Sequence, residues 1–308
     1  MKIHSNCTSL ALAAICAISS QSVAAQVDEP NQVETENVGD PIIVDGYSAR
    51  QVRQFLWRSL VGDAAIKRVQ PICFGIDNAP RVLSEPLENR IAENLAEFQV
   101  ELAEPDCDVN TVVVFYENAH SFVNWLSDNH RHVFDALYNP ERRRLIRPVR
   151  QAYSWHYIPN EASRGRSFDS FQSVGGRLQA FSAATFNGLA APTPATASSH
   201  SFTVIDTDAI DGLTVEQLGD YITMQILTEW RPRIADEVPR DSILRLFDDN
   251  GPNPDAAPGL SRLDRIVLTE IYSPDRAQFR APAIRVAIAR AAIDTLDDDG
   301  FLLASARD

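Results

Sequence analysis

Ser201–Leu227 reads SFTVIDTDAIDGLTVEQLGDYITMQIL, and three kinds of local order follow one another in it. Phe202–Ile205 is aromatic and β-branched, the composition of a buried strand. Asp206–Gly212 is short, acidic and closed by glycine, which predicts a tight loop. Thr214-Val-Glu-Gln217 is a capping box, in which a threonine hydroxyl and a glutamine amide each satisfy a backbone N–H at the start of a helix. Val215, Leu218, Ile222 and Ile226 then fall on one helical face, so this helix is expected to be buried.

A strand leading into a buried helix is where a zinc hydrolase carries two histidines four residues apart, with a glutamate after the first as general base. The matching positions here are Asp220, Tyr221 and Met224. Aspartate can ligate zinc, methionine is a poor zinc ligand, and tyrosine, with a pKa of about 10, is no base near neutrality. We therefore expect no metal and no cofactor, and assign no catalytic residue. Asp220, Tyr221 and Met224, with His156 between Trp155 and Tyr157, form the candidate cleft. Asp220 itself is read as exposed, paired with an arginine, or functional.

Towards the N-terminus, Thr111–Tyr116 (TVVVFY) is the strongest strand signal, and its unbroken apolar run predicts a central strand covered on both faces. Val69–Ile76 is read as extended, and Leu87, Ile91, Leu95 and Phe98 stand at helix spacing. Together these predict a βαβ-like unit. A short strand is expected at Pro41–Val44, a helix capped by Ser48 through Val61, one or two helices in 118–137, and extended segments at 151–158 and 175–186. Residues 189–199 read as an exposed Pro/Ala/Ser/Thr loop. From Thr214 onward, helices are expected at about 214–229, 241–247, 261–272 and 282–295. Strands come early and helices late without strict alternation, which predicts an α+β fold around a mixed sheet. Residues 41–308 are read as a single domain, with an N-terminal part 41–150 and a helical C-terminal part 151–308.

Lys2, the short apolar run Leu10–Ile18 and the small residues Ser22–Ala25 have the pattern of a cleaved signal peptide, 1–25. Residues 26–40 are polar and acidic, the composition of a disordered leader. The expected location is periplasmic or secreted. Cys7 and Cys16 leave with the signal. Cys73 and Cys107 remain, to pair in an oxidising compartment or to serve as a reactive thiol or metal ligand. The formal charge of −14 repels phosphate backbones, so nucleic acid is not an expected partner. After the signal no apolar run is long enough to span a membrane.

Arg142, Arg143, Arg144, Arg147 and Arg150 crowd one ten-residue stretch. With Arg164 and Arg166 they are read as an anion-binding patch or as partners for the chain's surplus acids. His130 and His132 open a helix, where their side chains diverge too far to chelate. His120 follows the central strand without an acid partner. There is no GxSxG elbow, P-loop or GxGxxG. Asp248–Gly251 and Asp297–Gly300 lack the ligand alternation of calcium loops and read as solvated carboxylates at helix ends.

IIVDG, PICFGI, CDVNTVVVFY, PVRQAYSWHY, the Val204–Leu227 unit, SILRLFDDNG and GLSRLDRIVLTEIYSPD together resemble a family of uncharacterised secreted bacterial proteins, over residues 41–295. The C-terminal half is also distantly similar to degenerate metzincin-type zinc-protease domains, in which a later helix of the pattern LxxLDxxxLxxLY packs against the active-site helix. Here that helix is Leu260–Tyr272. The resemblance implies a zincin-like fold without its ligands. The expected function is that of an exported, soluble, non-catalytic protease-like scaffold binding a peptide, a protein or a cell-envelope component. The alternative is a hydrolase with a non-standard site built from Asp220, Tyr221, His156 or His120.

Overall fold

The structure, a computed structural model, describes residues 46–60, 67–68, 70–134, 137, 139–157, 167–174, 177–185, 197–198, 200–230, 238–248, 251–274 and 281–303, with the backbone alone for 67, 167–174, 177–185, 197–198 and 281–284. The expected signal peptide 1–25, the expected leader 26–40, Pro41–Val44, Arg164, Arg166 and most of 189–199 lie outside the described residues. What is described falls in one compact unit, Asp45–Asp308.

Its centre is a four-stranded sheet made of β2 (Phe74–Asp77), β3 (Thr111–Tyr116), β8 (His200–Asp206) and β4 (Ala152–Tyr157), in that spatial order. β2, β3 and β8 run parallel, and β4 lies antiparallel on the edge beside β8. Helix α2 (Arg81–Glu97) connects β2 to β3, so the expected βαβ unit is present. Two further pairs are found among the described residues: β1 (Lys67–Arg68) beside β7 (Ala197–Ser198), and the hairpin β5 (Ser167–Val174) with β6 (Arg177–Thr185).

Strand alternation divides the core into two layers. Val113, Phe115 and Ile205 face one side, against α1 (Ala49–Ser59), α2, α5 (Val215–Leu227), α6 (Arg262–Tyr272) and α7 (Ala281–Asp298). Val112, Val114, Phe202, Val204, Tyr153 and Trp155 face the other, against α3 (Ala119–Asn129), a 3-10 turn at Arg131–Phe134 and α4 (Asn139–Ile146). The sheet is thus covered on both faces, as the apolar run of β3 requires. No described helix is long and apolar enough to cross a membrane.

The structure moves several boundaries. α2 begins at Arg81, not Leu87, and carries Pro86 inside it. Apolar spacing marked only the half of the helix that packs, since Leu87, Ile91 and Leu95 are buried while Arg81–Pro86 face solvent or its margin. The helix expected at 241–247 is a 3-10 turn, Ile243–Arg245. Strand β5 was not anticipated. His130 and His132 flank the start of a 3-10 turn, with ring centroids 5.9 Å apart and edge-on.

Cys73 and Cys107 are disulfide-bonded, with Cα atoms 6.0 Å apart. The bond ties the start of β2 to the segment entering β3, beside the pairing of Asn110 N–H with the Cys73 carbonyl. It closes a loop of 34 residues. In the chain-entropy account that separation is worth about 4 kcal/mol. Replacing both cysteines by serine is expected to lower stability by about that amount, read as a lower urea midpoint.

Candidate functional site

Helix α5 is the element on which the functional reading turns. Its capping box is formed, with Gln217 N–H donating to the Thr214 hydroxyl and Thr214 N–H to the Gln217 side chain, each at 3.1 Å. From Leu218 to Leu227 every residue is buried. A helix closed on all sides must satisfy its polar side chains internally.

Asp220 is fully buried and accepts four hydrogen bonds. Arg90 of α2 forks onto it, Nε to Oδ1 at 2.7 Å and Nη2 to Oδ2 at 3.0 Å. Asn94 Nδ2 donates to Oδ1 at 2.7 Å, and Leu260 N–H to Oδ2 at 2.7 Å. Of the three sequence readings, the structure gives Asp220 an arginine partner. Two glycines permit the close approach: a Cβ on Gly259 would stand 2.7 Å from Asp220 Oδ2, and one on Gly219 2.5 Å from the Arg90 side chain. Tyr221 packs edge-on against Phe247 with centroids 5.0 Å apart, its phenol raised by burial. Met224 is fully buried in the apolar core.

The C-terminal carbonyls of α5, which no helical N–H can reach, are taken by side chains. Trp230 Nε1 donates to Met224 O at 2.9 Å, His156 Nε2 lies 2.8 Å from Gln225 O, and the Tyr272 hydroxyl donates to Leu227 O at 2.6 Å. A carbonyl can only accept, so His156 carries its proton on Nε2. Burial, reinforced by the charge of Arg68, holds its pKa at about 3. His156 thus bonds to the far end of the helix, five residues beyond Asp220, whose own oxygens turn to α2 and Leu260. The four residues of the candidate cleft share one helix neighbourhood, but no hydrogen bond joins His156 to Asp220 among the described contacts.

His156 also belongs to a polar row across the sheet. Thr111, Ser201 and His156 are register partners on β3, β8 and β4, and all three are fully buried. Arg68 lies at the β3 end of this row, 4% exposed, its Nη2 donating to Asn110 Oδ1 at 2.5 Å. Its backbone N–H donates to the Tyr272 hydroxyl at 3.0 Å. Its Nε and Nη1 meet no acceptor. The guanidinium charge also acts on His200, which burial first and Arg68 second hold at about 3. Sequence reasoning did not single out Arg68. An arginine in a two-residue strand carries no motif.

Asp264, the aspartate of the LxxLD pattern, is a second buried anchor. It accepts from the Ser242 hydroxyl at 2.7 Å, Ile243 N–H at 2.9 Å and Ser261 N–H at 3.0 Å. Burial nevertheless raises its pKa to about 6. Glu229, just past α5, is pushed up to about 8 by burial and then by Glu141.

On the opposite face of the sheet, His120 Nδ1 meets the Tyr153 hydroxyl at 2.7 Å and its Nε2 meets Asn124 Nδ2 at 3.1 Å. The Tyr153 hydroxyl donates to Pro148 O, so His120 donates from Nδ1 and accepts at Nε2. It links α3 to β4. In the arginine stretch, Arg142 is engaged by Ser127 and lies 5.5 Å over the Phe134 ring. Arg150 donates to Leu145 O and Arg144 O. Arg143, Arg144 and Arg147 are exposed together on and just after α4. Among the described residues, no three His, Cys, Asp or Glu side chains are grouped to hold a metal ion.

Comparison with protein-family models, with curated proteins and with solved structures gives no match to this chain.

The buried polar contacts set the cost of removing them and its dependence on pH. Asp220→Ala strands the Leu260 N–H and leaves Asn94 Nδ2 only the Thr223 hydroxyl, 3.0 Å away, and is expected to cost about 3 kcal/mol. This is the low end for a broken buried pair, because the Arg90 side chain keeps 24% exposure and can be rehydrated. Gly259→Ala, which forces the same contact apart, should destabilise in the same direction by about 1–3 kcal/mol in urea unfolding. The pH responses of His156 and Asp264 are opposite. His156 is lowered from 6.5, so the unfolded chain takes up a proton that the folded one refuses, and stability is lost as pH falls below 6.5. Asp264 is raised from 3.8 to about 6, so its contribution is fully present below 3.8 and is lost as pH rises through about 6. The stability advantage of the wild type over His156→Gln should therefore shrink on acidification, and that over Asp264→Asn should grow.

Proposed function

We propose that this chain is an exported, non-catalytic scaffold of zincin-like architecture that binds a peptide, a protein or a cell-envelope component. One observation carries the reading: both oxygens of Asp220 are consumed by four donors from within the protein. A zinc ligand or general base needs a lone pair directed at metal or substrate. Asp220 has none to spare, and its helix neighbours Tyr221 and Met224 are packed in the core.

The architecture supports the scaffold half of the proposal. Parallel strands end in an antiparallel edge strand, and a buried helix follows β8 after a 3-10 turn at Thr207–Ile210. The later helix α6 packs back through Tyr272 onto the end of α5. The disulfide fits export to an oxidising compartment. Arg143, Arg144 and Arg147 offer a basic surface on an acidic chain, which suits an anionic partner.

The purified mature protein is expected to release no products from a mixed peptide library, with or without added zinc, and to melt at the same temperature after treatment with a chelator. Peptide hydrolysis that disappears with the chelator, or with Asp220→Asn in a protein that remains folded, would overturn the proposal.

A further inference from the structure

Arg68 does not fit the accounting that explains Asp220, Asp264 and Arg90. Asp220 and Asp264 are each surrounded by donors, and Arg90 has Asp220. Arg68 is more deeply buried than Arg90, yet no carboxylate among the described residues pairs with it, and two of its three nitrogens lack an acceptor. Asn110 Oδ1, its one side-chain acceptor, is already shared with Cys73 N–H and the Thr111 hydroxyl. A buried cation without a counter-charge is strongly destabilising, and its resolution is an anion.

The surroundings are those of an anion site. The Thr111, Ser201 and His156 row supplies uncharged polar groups in place of apolar packing. The hydroxyl of Thr228, the residue after Leu227 whose carbonyl holds Tyr272, is also buried and without partner. No acidic side chain intrudes among the described contacts. A guanidinium presents planar forks of N–H groups that match carboxylate and phosphate oxygens.

We infer that Arg68 is the centre of a binding site for a small oxyanion, a carboxylate or a phosphate group, enclosed between the β3 end of the polar row and the end of α5. The site shares no residue with the Asp220 cluster, so its failure leaves the reading of α5 untouched.

Thermal unfolding of the whole chain, titrated separately with sodium phosphate and sodium acetate against sodium chloride of equal ionic strength, tests this. The expected result is a saturating rise in Tm with one of the two oxyanions that is absent in Arg68→Met. The effective arm identifies the ligand as tetrahedral or carboxylate. No rise beyond chloride in the wild type overturns the inference. An equal rise in Arg68→Met also overturns it, assigning the effect to the exposed arginines of α4. Should Arg68→Met fail to fold, Arg68→Lys keeps the charge but loses the fork. Calorimetric affinity for the effective anion is then expected to fall at least about tenfold, and unchanged affinity counts against the site.

Discussion

The carboxylate of Asp220 is desolvated completely, and the arrangement of the helical layer follows from that. An ionised group taken out of water demands several donors at once. Here they come from Arg90 and Asn94 on α2 and from the backbone just before α6. Three elements distant in sequence are thereby held at one point. Gly219 and Gly259 are glycine because a side chain at either would occupy the space of the contact. The aspartate acts as a clamp, and the chemistry that could have made it a ligand is spent in doing so.

The same reasoning explains the far end of α5. A buried helix terminus leaves carbonyls that need donors. Trp230, His156 and Tyr272 provide them from a loop, the edge strand and α6. The histidine among aromatics and the aspartate inside the helix both find their partners within the protein, and the tyrosine beside that aspartate packs against Phe247. Arg68 departs from this pattern. It is a buried cation whose donors outnumber its acceptors, and it stands on the side of the sheet where the polar row replaces the apolar core.

The chain alone made much of the fold legible because local physics decides it. The N-cap at Ser48 and the capping box at Thr214 form as their residue types dictate. The continuous apolar run of Thr111–Tyr116 makes a strand covered on both faces. Helix periodicity located α1, α5, α6 and α7 within a few residues. It failed on the solvent-facing start of α2, where no apolar stripe exists to be read, and at Ile243–Arg245, where Asp264 draws the backbone into a tight turn that no propensity predicts.

What the sequence by itself determined is the sequence of elements, the capping chemistry and the absence of a metal-binding pattern on α5. Only the tertiary structure decided what the polar residues do. The donors for Asp220 lie 126, 130 and 40 residues away, and the carbonyl that His156 meets lies 69 residues away. Spacing along a chain carries no information about such pairings. They exist because burial makes an unsatisfied polar group expensive and folding brings distant partners within hydrogen-bond reach. For the same reason Arg68 is unremarkable in the sequence, since the acceptors it lacks are defined only by the fold around it.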